Sequence, residues 1–389
     1  MSQNTLYSPV FFRLCLSSFL FFASFNMLIP ELPAYLTSLG GEDYKGLIIS
    51  LFTLTAGLSR PISGKLADRI GRIPVMALGL WVCMLAGFLY PVLATVIGFF
   101  LMRFLHGFST GFTPTGTSAY LADIVPFERR GEAMGWIGLA NSSGMAAGPA
   151  LGGWLISYVG IDTLFYISSF LALLAWVVLI SLPETVTHRE KLNASLLWIK
   201  RHEILEPAVL KPAWVMVLVC FPYGLVLTIV PDYSVYFEVS NKGTFFAITT
   251  VASTSIRLFA GRFSDIYGRV PVMLGASLLL AFSMFWIALS NSSEAFLWGA
   301  VWYGLAAGMG SPTLFAWAID LSDERFRGRG MATLFIAMEL GIGLGAFISG
   351  SLYANDNTRV PMLFGVSGLM CLVAVSYLVV LLLQKKKNL

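Results

Sequence analysis

The stretch GKLADRIGR, Gly64 to Arg72, sets Lys65, Asp68, Arg69 and Arg72 between two long apolar runs, and nearly the same words return as GRFSDIYGR, Gly261 to Arg269. Both copies keep the order glycine, aspartate, glycine, arginine at one spacing. Such concentration stands out in a 389-residue chain that is 57% hydrophobic and 12% charged, about half the charged fraction of an ordinary soluble domain. With a mean hydropathy of +0.78, the expected solvent is the bilayer.

Outward from these stretches, apolar runs of about 20 residues recur, each able to cross about 30 Å of hydrocarbon as a helix. Twelve are expected, over 10–36, 45–65, 74–94, 96–121, 132–157, 162–182, 213–237, 244–263, 271–291, 294–319, 329–353 and 360–383. None shows the alternating ten-residue pattern of a barrel strand. The expected fold class is therefore an all-α membrane protein with twelve transmembrane helices.

The two charged stretches lie 197 residues apart, and that one offset carries Arg60 onto Arg257, Asp68 onto Asp265, Gly107 onto Gly304, Asp123 onto Asp320, Gly131 onto Gly328, Gly144 onto Gly341 and Gly148 onto Gly345. A constant offset through six helices means a duplicated six-helix unit in one orientation, hence two pseudo-symmetric bundles. The expected organisation is 1–183 for the first bundle, 184–211 for a linker and 212–389 for the second bundle. The linker contains KLNASLLWIKRHEILE, with Leu192, Leu196 and Ile199 on one helical face, which predicts an amphipathic interfacial helix.

Orientation follows from the basic residues. With the N-terminus inside, all but Lys45, Lys242, Arg359 and Arg103 fall at cytoplasmic positions. The positive-inside bias predicts a multi-pass inner-membrane protein with both termini cytoplasmic. The first run lacks a small-residue cleavage site and is expected to stay as a helix. Cys15, Cys83, Cys220 and Cys371 lie in separate runs without metal-ligand spacing and read as small hydrophobes.

Twelve helices in two parallel halves, with Gly64, Leu66, Ala67, Asp68, Gly71 and Arg72 in the form G-x-L-A-D-x-x-G-R, resemble the major facilitator superfamily over essentially the whole chain. The second copy keeps Gly261, Asp265, Gly268 and Arg269 but has Phe263 and Ser264 for Leu and Ala. The resemblance implies a conformational latch, with Asp68 touching the start of the eleventh helix and Arg72 reaching Asp123 when the cytoplasmic side closes. Physically, an aspartate there faces a neighbouring helix N-terminus only in one of two arrangements.

An ionisable side chain inside hydrocarbon costs about 2.5 to 3.5 kcal/mol by insertion scales, so each one asks for a partner or a task. In the fourth run Arg103, His106, Thr110, Thr113 and Thr117 share a helical face, which predicts a polar stripe lining a water-filled cavity. Arg103 with Gly107 and Gly111 also resembles the superfamily's R-x-x-x-G-x-x-x-G motif, linked in drug–proton antiporters to proton coupling. His106 is a candidate proton shuttle. Glu339, in FIAMELGIGLG, is the most deeply placed acid, and its repeat equivalent is Ser142. It is the first candidate for proton coupling or substrate contact, with Arg103 nearby in that role; a purely structural pairing of Glu339 with Arg103 is the alternative. Glu31, between Pro30 and Pro33, and Asp232, after Pro231, are further candidates at the outer ends of the first and seventh runs. Asn26 and Asn141 join Arg103, His106, Thr110 and Glu339 as expected cavity residues.

The fifth run carries GMAAGPALGG, in which Gly144, Gly148 and Gly152 share a face, Pro149 interrupts the ladder and Gly153 follows. By itself this says tight helix packing with a bend. The full pattern G-x-x-x-G-P-x-x-G-G resembles the antiporter signature found mainly in the superfamily's exporters. The resemblance therefore implies a proton-driven exporter of small amphipathic organic compounds, of the twelve-helix drug–proton antiporter branch. It implies alternating access, no cofactor beyond the proton gradient, membrane lipids as surroundings and a monomer. A metabolite exporter or uniporter, for example of a sugar, and a lipid flippase share the fold and stay open, as does a receptor that transports nothing. No HExxH, Walker loop or nucleophile–base constellation supports an enzyme. The net charge of +4, spread by topology, does not suggest nucleic-acid binding.

Overall fold

The structure, a computed structural model, describes residues 8–125, 130–187, 189–193, 196, 198–199, 204–322 and 327–387. The first half holds α1 (Pro9–Asn26), a short helix over Leu32–Ser38, α2 (Gly46–Arg69), α3 (Arg72–Val92) and α4 (Val96–Ile124). A continuous run, Arg130–Ile180, follows. Gly160, at φ 76° and ψ 170°, breaks it into α5 (130–159) and α6 (161–180). The second half holds α7 (Leu210–Tyr236), α8 (Thr244–Tyr267), α9 (Arg269–Ala288), α10 (Ser293–Leu321), α11 (Arg327–Tyr353) and α12 (Val360–Lys387). Among the described residues these are twelve long helices in two halves of six.

Within lipid every backbone group must find its partner inside the protein, which favours unbroken helices with defined starts. Ser8 caps α1 by accepting from Phe11 N at 3.2 Å, and Pro9 follows at the first helical position, where its missing N–H costs nothing. Thr95 caps α4 through Gly98 N at 3.0 Å. Ser292, 197 residues later, caps α10 through Ala295 N at 3.2 Å. The repeat is thus visible at single caps. It is equally visible at Gly71 and Gly268, whose φ values of 124° and 88° let the chain turn sharply between α2 and α3 and between α8 and α9.

The packing partners repeat as well. Helix α1 lies on α5 and α6, α2 and α3 on α4; correspondingly α7 lies on α11 and α12, and α8 and α9 on α10. The two halves meet along two seams, α2 with α11 and α5 with α8. One end of the bundle carries the Asp68 and Asp265 clusters and the linker, and is here called the basic face. At the opposite face the seams are tight: Gly46 sits against the backbone of Ala346 and Gly350, and Gly243 against that of Pro149. Toward the basic face, Gly64, Gly135 and Gly138 have open space where a side chain would project, and the Asp68 side chain is 70% exposed. The halves are therefore closed at the opposite face and parted at the basic face.

The described linker residues do not form the expected amphipathic helix. Residues 189–193, 198 and 199 are not helical, Leu196 sits in a single 3-10 turn, and the rest of KLNASLLWIKRHEILE lies largely outside the described residues. Leu196 is buried against Leu66, Ala67, Val75 and Phe112, while Leu192 and Trp198 are exposed. Polar contacts do the remaining work: Arg69 pairs with Glu190 at 2.5 Å, and Lys65 donates to the Trp198 carbonyl at 2.8 Å. At its far end Glu206 N donates to Thr333 Oγ1 at 2.7 Å.

Candidate functional site

Arg60 and Glu339 form the centre of the α2–α11 seam. Arg60 Nη2 donates to Glu339 Oε1 at 2.9 Å, with the two side chains only 5% and 8% exposed. The guanidinium also lies over the Phe335 ring, 4.2 Å from its centroid. Arg60 Nε and Nη1 are buried without partners among the described residues. At 1.5 Å per residue Arg60 stands about 13 Å of helix rise before Arg69, well inside the membrane span. The seam between halves thus contains a buried ion pair whose attraction depends on the carboxylate being ionised.

The twofold-related place on the α5–α8 seam holds a different pair. Arg257, the equivalent of Arg60, donates through Nη1 to the Ser142 hydroxyl at 2.8 Å, and Ser142 stands where the other seam has Glu339. Arg257 Nε is buried and has no partner among the described residues. Among the described residues one seam carries a counter-charge and the other does not.

Arg103 does not meet Glu339, as the sequence had suggested. Its Nε donates to the Ile48 carbonyl at 2.6 Å, Nη1 lies 3.5 Å from the Tyr90 hydroxyl, and the guanidinium sits 4.5 Å from the Phe52 centroid. These partners belong to α2 and α3, so Arg103 ties three helices of the first half together. His106 is fully buried beside it, with Nε2 3.3 Å from Cys83 Sγ and Nδ1 3.4 Å from the Tyr90 hydroxyl. The expected polar stripe does not line an open cavity. Thr113 bonds the Met76 carbonyl at 3.3 Å, Thr117 contacts Met76 Sδ, and Thr110 returns to its own helix at the Gly107 carbonyl. The shared face exists, but it packs on α3. Asn26 likewise bonds the Phe22 carbonyl of its own helix at 2.7 Å, and Asn141 accepts from Ser18 at 2.7 Å within the first half.

Glu31 and Asp232 are brought into one arrangement at the opposite face. Lys242 donates to Glu31 at 2.8 Å, and Lys45 donates to Asp232 at 2.5 Å. Each pair joins one half to the other, and the two lysines are themselves repeat equivalents. The acids are therefore partnered across the closed face instead of standing free in a vestibule.

The described basic-face pairs each lie within one half and are present while this face is parted, so the Arg72–Asp123 contact is made without a link between halves. Arg72 pairs with Asp68 and, through Nε, with Asp123 at 3.0 Å; Arg269 pairs with Asp265 at 2.5 Å and Asp320 at 2.8 Å. Glu184, just after α6, accepts from the backbone N–H groups of Arg72 and Ile73 at 3.0 Å each, capping α3 where the helix dipole favours an anion. The expected contact of Asp68 with the start of α11 falls on residues outside the described side chains. Gly64 faces open space, and Gly261 lies within α8.

The glycine pattern of α5 has a plain steric reason. Side chains on Gly144, Gly148 or Gly152 would collide with the α1 backbone at Phe19, Ala23 and Met27. Gly153 instead meets Asn241, and Pro149 carries the backbone against which Gly243 packs, both from the second half. The pattern therefore joins α5 to α1 on one side and to the α7–α8 turn on the other.

The model of the Major Facilitator Superfamily matches residues 14–256 and 215–388. The chain belongs to that superfamily. It is a multi-pass membrane transporter and not an enzyme, and superfamily transporters need no cofactor. Among curated superfamily relatives, Multidrug resistance protein 2 of Bacillus subtilis is 30% identical over 168 residues, covering 43% of this chain and 42% of that one. Quinolone resistance protein NorA of Staphylococcus aureus is 32% identical over 193 residues, 48% of this chain and 49% of that one. The aligned part thus spans about half the length of these two relatives. The fold is shared with the human organic anion transporter MFSD10 (TM-score 0.75, 20% identity, 95% of this chain and all of that one). It is shared too with a D-xylose–proton symporter (TM-score 0.78, 15% identity, 95% and 96%).

Sequence reasoning missed Arg60 as a superfamily transporter's intramembrane charge. Its signal was present: the offset of 197 pairs it with Arg257. Placing the end of the second run at 65 made it look like a helix-end residue, whereas α2 continues to Arg69.

Proposed function

We propose that this protein exports small amphipathic organic compounds in exchange for protons by alternating access, as a monomer in the cytoplasmic membrane. The basic face is the cytoplasmic one by the positive-inside bias, with both termini and the 184–211 linker on that side. The state described above is then open inward and closed outward. The observation that carries the reading is the buried Arg60–Glu339 pair across the α2–α11 seam. Protonating Glu339 removes the charge that holds Arg60, so a proton weakens a link between halves from inside the membrane. An exchanger needs such a link, because a ligand moves an equilibrium only by its differential affinity for the two states.

Outward direction is supported by the α5 glycine pattern and by the multidrug and quinolone resistance relatives. Since the fold is shared with a sugar–proton symporter, architecture alone does not argue for export. The test is proton movement in proteoliposomes under an imposed pH gradient, with lipophilic cations, neutral drugs, organic anions, sugars and lipids added in turn. Compound-triggered proton flux in wild type that disappears in Glu339→Gln supports the reading. Flux that persists in the variant moves the proton site elsewhere, and compound movement without proton flux leaves a uniporter or flippase.

A further inference from the structure

Two arginines sit at equivalent places on the two seams between halves, yet only one has an acid. Arg60 is answered by Glu339, and Arg257, among the described residues, only by the hydroxyl of Ser142. We propose that Arg257, with Ser142 beside it, receives the acidic group of the transported compound, so that the cargo is an organic anion. This rests on the transporter reading above and names the substrate class of the same inter-half site.

A guanidinium inside a membrane span keeps its charge, and a neutral hydroxyl does not balance it. The Ser142 bond uses Nη1 alone. Nε, buried and without a partner among the described residues, is one of the donors a planar guanidinium offers to two oxygens of a carboxylate or sulfonate at once. No described carboxylate pairs with Arg257. The other seam shows what the fold does when it neutralises this position itself: it places a glutamate 197 residues from Ser142. The repeat has kept the arginine in both halves and supplied the counter-charge in one.

Helices α5 and α8 also form a seam that must part for the cargo to pass between the two sides. At the basic-face end of that seam, Gly135 and Gly138 of α5 face open space, so the approach to Ser142 and Arg257 lies on the parted side. An anion entering there meets an uncompensated cation. The proton at Glu339 and the anion at Arg257 occupy different atoms, so exchange between them runs through the conformation of the halves.

The experiment uses full-length protein in phosphatidylcholine nanodiscs and equilibrium binding of three probes with one ring system: 2-naphthoate, 2-naphthalenemethanol and 2-naphthylmethylammonium. Wild type is expected to bind the carboxylate at least about tenfold more tightly than the alcohol or the amine. Ser142→Glu copies the neutralised seam and should abolish that preference; Arg257→Gln should do the same, and Arg257→Lys should retain it in part. Because Ser142→Glu adds a counter-charge to a partly buried cation, it tests the idea even where Arg257→Gln fails to fold. Equal binding of the three probes by wild type, tighter binding of the amine or no binding at all overturns the proposal, as does a preference that survives Ser142→Glu. A preference erased by adding phosphatidylglycerol assigns the site to a lipid headgroup and also overturns it. Binding needs no proton gradient, so loss of proton flux with the naphthoate preference intact removes the coupling reading and leaves this one.

Discussion

Reversing one charge at the closed face should open it. Lys45 and Asp232 meet at 2.5 Å with side chains 9% and 22% exposed, and Lys242 meets Glu31 at 2.8 Å. Exposed pairs are worth about 0.2 to 1 kcal/mol, whereas leaving one member of a fully buried pair alone costs about 3 to 5 kcal/mol. A partly buried pair falls between, and Asp232→Lys both removes the attraction and sets two cations together. About 3 kcal/mol against the closed state is expected, which is about a 150-fold shift in population at 1.4 kcal/mol per tenfold. The exchange Lys45→Asp with Asp232→Lys restores an opposite-charge pair and should recover most of it. Spin labels at exposed Ser38 and Ser240, on the two sides of this face, read the opening as a distance distribution once the four native cysteines are replaced. Asp232→Lys should populate a longer distance, and the exchanged double variant should return to the short one. An unchanged distance in the single variant, or no recovery in the double, refutes the idea that these pairs hold the halves together.

Further outcomes follow from single contacts. Glu339→Ala leaves the buried Arg60 charge alone and should cost about 3 to 5 kcal/mol of thermal stability, while Arg60→Met with Glu339→Leu should be far milder; a melting series on the purified variants compares them. Gly152→Leu drives a side chain into the Met27 carbonyl and should cost about 1 to 3 kcal/mol or more, measured as lost folded protein by size-exclusion chromatography, whereas the same change at open Gly64 should be tolerated there. Glu184→Ala uncaps α3 at Arg72 and Ile73 and should lower stability by about 1 to 2 kcal/mol, again by melting. In the α11–α12 loop, the Thr358 hydroxyl and backbone N–H hold Asp356 below the ordinary aspartate value, with Arg359 adding to this. A depressed folded-state value means the turn's support is present above the unfolded-state pKa of about 3.9 and fades as pH falls through the folded one, so Thr358 amide protection should drop at low pH.

The architecture was legible because it rests on features a linear chain displays. Twelve apolar runs, one repeat offset and the two Gly-Asp-Gly-Arg stretches reappear as twelve helices, twofold-matched caps and the equivalent Arg72–Asp123 and Arg269–Asp320 pairs. Glu339 was legible as a deep acid, since a single carboxylate in a long apolar run has nowhere else to be. Its partner was not. Periodicity shows which residues share a face but not which neighbour that face meets, so the Arg103 stripe pointed to a cavity and instead packs on α3. The same limit hid the closed face: Glu31 and Lys242 are 211 residues apart, and only the meeting of the halves makes them a pair.

The central claim is that a proton on Glu339 releases Arg60 and so loosens the inward-open state. The most direct measurement is the Ser38–Ser240 label distance in nanodiscs as a function of pH, for wild type and Glu339→Gln. The account expects acidification to lengthen the distance in wild type, and Glu339→Gln to show the long distance already at neutral pH with little further response. A variant that keeps the short distance and the wild-type pH response would contradict it.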